Sequence, residues 1–416
     1  MRQAEGPTPL ERAWREERAR VVATLARRLG DLQLAEDAVQ EAFATATIRW
    51  PVDGVPDRPG AWLTTTAWRK ALDGLRRDRF PLANPMRDNP VSATEDRAGR
   101  MAKPGDGELG VEDDLLGLLL TCCHPALSLE ARVALTLRHV AGLTAREIAA
   151  AFVIPESTMD KRLVRGRSKI RDARIAFTPP ERSELPERLT AVHAVIYLVF
   201  TEGHLASGEG DAVRTDLCEE AVWLSRQLHL LLPRDAETTG LLSLLLLHHA
   251  RTPARADALG RLLPYREQDR CRWDTAAIEE AKALLATTGR EPLGPYQVQA
   301  AIALMHAVAP DAEQVNWPRI ADLYSVLARI APSPVVDVNR AVALGRADGP
   351  PAGLAVLAPV LAAGRLDRYP PLHAAHADLL ERAGQHEDAR SAWRRAAEFT
   401  ANPAQRVELL RRASPR

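Results

Sequence analysis

Apolar side chains return every three or four residues along most of this 416-residue chain, and the strict alternation that marks strands is nearly absent. The pattern predicts an all-α protein in which each helix buries one stripe. The rhythm fails over residues 81–110, PLANPMRDNPVSATEDRAGRMAKPGDGELG, where Pro, Gly, Asn, Asp and Ser displace nearly every large apolar residue. A stretch that cannot bury apolar surface is expected to be a flexible linker. A shorter interruption falls at Phe177-Thr178-Pro179-Pro180. The two breaks predict an N-terminal helical unit over about residues 10–80, a middle unit over about 111–175 and a large C-terminal helical unit over about 185–416.

In the N-terminal unit, ARVVATLARRLGDLQLAEDAVQEAFATA predicts one helix with Val22, Leu25 and Leu29 inward, a junction at Gly30-Asp31, and a second helix. The second helix buries Leu34, Ala38 and Ala42, with Val39 and Phe43 widening the stripe, and leaves Glu36, Asp37, Gln40 and Glu41 as an exposed acidic cluster. Past a Pro-rich turn, AWLTTTAWRKALDGLRRDR interleaves Trp62 and Trp68 with Arg69, Lys70, Arg76 and Arg77. Aromatic rings among cations suit unstacked bases and phosphates; the competing reading makes the tryptophans core anchors beside a solvated helix end.

The strongest local grammar lies in GLTAREIAAAFVIPESTMDKRLVRGRSKIR, residues 142–171. Thr144 and Glu147 are spaced for a capping box, with Leu143 and Ile148 flanking it as a hydrophobic staple. That helix is expected to run to about Phe152, because Pro155 disfavours helical geometry in the residue before it and can itself begin the next helix. In the second helix Met159, Leu163, Gly166 and Ile170 form one apolar stripe, with Lys161, Arg165 and Lys169 roughly opposite. Between Pro155 and Arg174 seven cations face three carboxylates. A capped helix, a tight turn and a basic second helix define a helix-turn-helix, although a surface helical hairpin with a solvated basic face has the same local features.

Towards the C-terminus helices are expected at about 335–346, 351–363, 369–383 and 386–399, broken at Gly349-Pro350-Pro351, Gly364 and Gly384. Superposing Gly349 on Gly384 gives an offset of 35 residues, near the tetratricopeptide period. Stacked helix pairs of that kind make concave surfaces for a peptide or protein partner.

Composition narrows the picture further. With 55 basic and 55 acidic residues, any nucleic-acid affinity must be local, as it is over residues 155–174. Four cysteines give no secreted disulfide framework, the N-terminus lacks a signal-peptide core, and the longest apolar run, GLLSLLLLHH at residues 240–249, is far too short to span a bilayer, so a cytoplasmic protein is expected, with no membrane partner. Adjacent Cys122 and Cys123 beside His124 cannot match the spacing of common zinc sites, and packing is the expected role of the pair. His248-His249 read as a helix-end cap. FTEGHLASGEGD, residues 200–211, lacks a phosphate-cradle motif. No enzymatic constellation, metal site or cofactor is expected.

Taken in order, the AEDAVQEAF helix, the AWLTTTAWRKALDGLRR helix, a loose linker and the helix-turn-helix resemble an extracytoplasmic-function sigma factor of the sigma-70 family, over about residues 10–175. The block LLTCCHPALSLEARVALTLRHVAGLTAREIAAAF followed by a long helical extension resembles the subgroup with a tetratricopeptide-like C-terminal domain. The resemblance implies sigma region 2 at 10–80, a linker at 81–110, sigma region 4 at 111–175 and a C-terminal regulatory domain at 185–416. It implies that Glu36, Asp37, Gln40 and Glu41 dock on the clamp helices of core RNA polymerase, whose flap region is a second contact. It further implies that Trp62, Trp68, Arg69, Lys70, Arg76 and Arg77 engage the melted −10 strand. Ser157, Thr158, Lys161, Arg162 and Arg165 would then meet the −35 element of promoter DNA, with Arg167, Lys169 and Arg171 on phosphates. Asp160 departs from the basic or neutral residue of many relatives, so it either reads a cytosine amino group or faces away from DNA. The alternative is a conventional helix-turn-helix activator with a tetratricopeptide-like sensor that does not join core polymerase.

Overall fold

The computed structural model describes residues 8–79, 111–152, 154–181, 183–205, 213–257, 262–289 and 293–414; the expected linker at 81–110 lies outside them. The described residues are almost entirely helical, and the extended pairing among them is an isolated bridge between Ala256 and Leu262. The chain divides into two compact units, residues 1–150 with 154–195 and residues 151–153 with 196–416.

The first unit begins with α1 (Pro9–Leu29), α2 (Leu32–Asp53) and α3 (Pro59–Arg79). Thr8 and Glu11 form a capping box at the start of α1, and the Asp31 carboxylate accepts from Gln33 N and Leu34 N at the start of α2. Val22, Leu25, Ala35, Ala42, Ala46, Leu63 and Ala67 are all fully buried. Small alanines on the facing stripes leave room for three helices to pack on one another. Next come α4 (Val111–Cys122), α5 (Leu129–Leu135) with a π-helical turn at Thr136–Ala141, α6 (Ala145–Ala151) and α7 (Glu156–Asp172). Helix α1 packs on α4 and on the π turn as well as on α2 and α3. The stretches read as separate N-terminal and middle units are therefore one compact body here. The Phe177 break also differs from the expected seam: Phe177 is buried, and Thr121 Oγ1 donates to Ala176 O at 2.8 Å. Helix α8 (Leu185–His204) follows, and Arg188 near its start donates to Leu120 O at 2.9 Å.

The second unit holds α9 (Thr215–Leu231), α10 (Ala236–His249), α11 (Thr275–Thr287), α12 (Pro295–Ala307), α13 (Trp317–Ile330), α14 (Pro334–Ala347), α15 (Pro350–Ala362), α16 (Pro370–Arg382), α17 (His386–Phe399) and α18 (Pro403–Ala413). In α10 every residue from Thr238 to Leu247 is buried, as an all-round apolar helix in a protein core must be. Among the described residues no helix is long and apolar enough to cross a membrane. The last four predicted helices appear within one or two residues of their expected bounds as α14 to α17. Gly349 and Gly384 lie at φ 98° and 79°, a region that only glycine occupies cheaply, which is why the helices turn there. Pairs α14/α15 and α16/α17 pack as neighbours over a core that includes Leu357, Leu372, Leu379 and Trp393.

Candidate nucleic-acid interface

The start of α6 is fixed as the sequence requires: Thr144 N donates to Glu147 Oε2 at 2.7 Å, and Glu147 N donates to Thr144 Oγ1 at 3.1 Å. Pro155 stands in extended geometry as the N-cap of α7, one position outside the helix. From there α7 buries Met159, Leu163, Gly166 and Ile170, the four residues of the expected stripe. Gly166 is where the stripe meets α5; a Cβ there would come within 3.0 Å of Leu135 Cδ1. Away from that stripe Ser157, Asp160, Lys161, Arg165 and Lys169 are exposed, and Thr158 and Arg162 are half-buried. Arg167 is half-buried, and burial pulls its guanidinium below the ordinary range while Glu36, Asp37 and Asp31 pull it back. Arg171 Nη1 lies 3.7 Å from Asp31 Oδ2.

On α2, Asp37, Gln40 and Glu41 are exposed, but Glu36 is 1% exposed and the reading of it as a surface contact is corrected. Leu32, Val39 and Phe43, at i−4, i+3 and i+7, are buried and share its face, so the helix period itself carries Glu36 inward. Its carboxylate is the centre of a polar knot. Oε1 accepts from Arg18 Nη2 at 3.2 Å and lies 2.6 Å from Arg138 Nη2; Oε2 lies 2.8 Å from His139 Nδ1. Burial opposes the charge on Glu36, but the approach of His139 and the Arg138 and Arg18 cations outweigh it and hold the carboxyl below its usual range. Burial in turn pulls His139 down despite Glu36, so the ring is neutral and the two guanidiniums carry the compensation. Arg18 also donates to His139 O and Arg138 O, each at 3.2 Å, reading carbonyls that the π turn leaves open. Gly142 closes that turn at φ 86°, and a Cβ there would meet Arg18 Nη1 at 3.2 Å. A second tie joins the same segments: Thr24 Oγ1 donates to the buried Asp114 Oδ2 at 2.9 Å, and Arg27 pairs with the same carboxylate.

The tryptophans of α3 divide. Trp62 is half-buried, its ring edge-to-face with Trp50 at 5.7 Å. Trp68 is buried at 9% exposure, with the Arg28 guanidinium 5.8 Å from its ring, so it anchors the core and is not free to stack on a base here. Arg69 and Arg76 are exposed and Lys70 is half-buried; the Arg77 side chain lies outside what the structure describes. Lys70 Nζ sits 3.7 Å from Glu41 Oε2, which brings the α3 cations beside the α2 carboxylates in a weak, solvated pair.

Cys122 and Cys123 are fully buried; burial pushes both thiols up, Cys123 to about 11, and they act as small packed groups. His124 Nδ1 accepts from Ala126 N at 3.1 Å. His248 is not the helix cap it was read as: its ring lies 5.5 Å from that of His204 and 6.3 Å from that of Phe200, inside the second unit.

The helix-turn-helix carries an exposed cationic row, and the three-helix bundle beside it carries an acidic face. Residues 13–80 match sigma-70 region 2, residues 117–170 match sigma-70 region 4, and residues 188–289 match a family of unknown function, DUF6596. The chain is 41% identical over 390 residues to the uncharacterized protein R00370 of Rhizobium meliloti (strain 1021), covering 93% of this chain and 91% of the relative. It is 32% identical over 170 residues to the probable ECF RNA polymerase sigma factor SigI of two Mycobacterium tuberculosis strains, CDC 1551 / Oshkosh and H37Rv, covering 40% of this chain and 56% of each relative. No solved structure matches. The chain belongs to the ECF-type sigma factors of the sigma-70 family and carries an extra C-terminal domain. Its function is that of a sigma factor, a family of initiation factors and not of enzymes, and its domains imply core RNA polymerase and promoter DNA as partners.

Proposed function

We infer that Asp37, Gln40 and Glu41 engage the basic clamp helices of core polymerase, that Trp62, Arg69, Lys70, Arg76 and Arg77 of α3 meet the −10 strand, and that α7 reads the −35 element through Ser157, Thr158, Lys161, Arg162, Arg165 and Lys169. The observation that supports this most is the separation of charge on exposed faces: carboxylates on α2, cations on the open side of α7. Complementary charge steers such docking and fixes its register. The flap region of the polymerase is the expected second contact, reached by the region 4 end. The C-terminal helical domain sets whether promoter binding occurs, in place of a separate regulator, and the stacked pairs α14 to α17 supply a surface for a peptide or protein.

The test is co-purification of the full chain with core polymerase. The double variant Asp37→Lys, Glu41→Lys loses the complex while keeping its thermal melt; a complex that survives the double reversal refutes the docking face. For the C-terminal domain, run-off transcription with a chain ending at residue 205 is compared with the full chain. Equal promoter activity in the two would remove the regulatory role.

A further inference from the structure

The second unit contains a cleft of about 590 Å³ between α8, α10, α12, α13 and α14, within the size range of small-molecule sites. Three tyrosines, Tyr197, Tyr265 and Tyr324, line it together with His248, His306 and Arg251. The floor is aliphatic, with Leu247 and Ile302 among its residues.

Arg251 is the reason to expect a ligand. Three arginines crowd this end of the unit, and two are spoken for. Arg270 donates to His306 O at 3.1 Å, to Ala309 O at 2.7 Å and to the Tyr265 hydroxyl at 3.0 Å. Arg255 donates to His204 O. Arg251 lies with its guanidinium 5.0 Å from the centre of the Tyr265 ring, its Nε is buried without a partner, and among the described residues no carboxylate pairs with it. His306 Nδ1 is likewise buried and unpartnered, its ring edge-on to Tyr265 at 5.3 Å. Burial and the neighbouring arginines hold His248 at about 3 and His306 at about 4, so both rings are neutral and the cleft carries one positive charge at neutral pH. A buried guanidinium with open donors is costly unless an anion meets it.

We propose that this cleft binds a small organic monoanion with a flat aromatic body, its acid group on the Arg251 guanidinium and its ring among Tyr197, Tyr265 and Tyr324. Arg251 supplies the charge and the fork of donors, the tyrosine rings supply the stacking surface, and the aliphatic floor excludes water. This deepens the reading of the C-terminal domain as a regulator by naming the chemistry of its effector. Binding is read without transcription, so its failure and the failure of that reading are separable.

The experiment uses the full chain and two fluorescent probes that differ only in charge: 1-anilinonaphthalene-8-sulfonate and its uncharged parent N-phenyl-1-naphthylamine. The sulfonate saturates at one site per chain and binds about 10- to 100-fold tighter than the parent, as a charge-assisted contact gives. Arg251→Met brings the two affinities together, and Ala303→Trp, which fills the cleft and leaves its charges in place, removes binding of both. Arg329→Met, at an exposed arginine of α13, changes neither. Non-saturating binding by the wild-type chain, equal affinity for the two probes, or one site that survives Ala303→Trp would each overturn the proposal. Should Arg251→Met fail to fold, the wild-type ratio and Ala303→Trp decide alone.

Discussion

Glu36 shows how a single side chain can carry an arrangement that local sequence does not announce. Its carboxylate is ionised in a dry site because Arg18 and Arg138 meet it, and removing one member of such a group leaves the others buried and unpaired. Glu36→Gln is expected to destabilise the chain by about 3 kcal/mol in urea denaturation. Asp37→Asn, one residue away and exposed, is expected to stay within about 0.5 kcal/mol. Equal effects of the two would place Glu36 at the surface. The neutral histidines of the second unit give a pH signature of their own. His248 and His306 titrate near 6.5 when unfolded and at about 3 and about 4 when folded, so between those limits the unfolded chain binds more protons. Their contribution is complete above about pH 7 and is lost as the pH falls through 6.5 towards the folded values, about 2 kcal/mol each by pH 5. The double variant His248→Gln, His306→Gln flattens that fall; an unchanged slope between pH 7 and 5 would show that these rings do not charge on unfolding.

At the scale of the element, what could be read from the chain was what neighbours three or four residues apart decide. The Thr144–Glu147 box and the stripe Met159, Leu163, Gly166, Ile170 follow from helix geometry alone, and both stand in the structure as expected. So do α14 to α17, because glycine and proline stops mark where each helix ends. The sequence left Trp68 open between base stacking and core anchoring, and two features were not legible at all: the π turn at Thr136–Ala141 and the knot that joins Glu36 to Arg138 and His139 about a hundred residues later. These depend on which helices meet, and a pattern within one helix carries no such information. The period did hold one unused signal, since Glu36 shares the face of Leu32, Val39 and Phe43. Gly142 tests the π turn directly. Gly142→Ala forces a side chain into the left-handed region and against Arg18, and thermal unfolding is expected to show a loss of about 1 to 2 kcal/mol. Gly74→Ala, in α3 with open space around it, is expected to be neutral or stabilising.

For the whole molecule, the balance of 55 cations and 55 carboxylates is partly an internal neutralisation. In the first unit Arg167 of α7 feels Glu36, Asp37 and Asp31, and Arg171 approaches Asp31, so part of the positive charge of α7 is turned towards carboxylates of region 2. Lys161, Arg165 and Lys169 stay open. The free chain is therefore expected to bind duplex DNA weakly and with a shallow salt dependence, because few of its cations can release counterions. Loosening the knot should return charge to the surface. Glu36→Gln, assayed below its melting temperature without polymerase, is expected to bind duplex DNA more tightly and to steepen the slope of log affinity against log salt by about one for each phosphate contact regained. Lys161→Ala with Arg165→Ala, added to the same variant, should lower the slope by about two. If Glu36→Gln leaves both affinity and slope where they were, the carboxylates of region 2 do not restrain the recognition helix, and the neutral composition has no part in keeping the free factor off DNA.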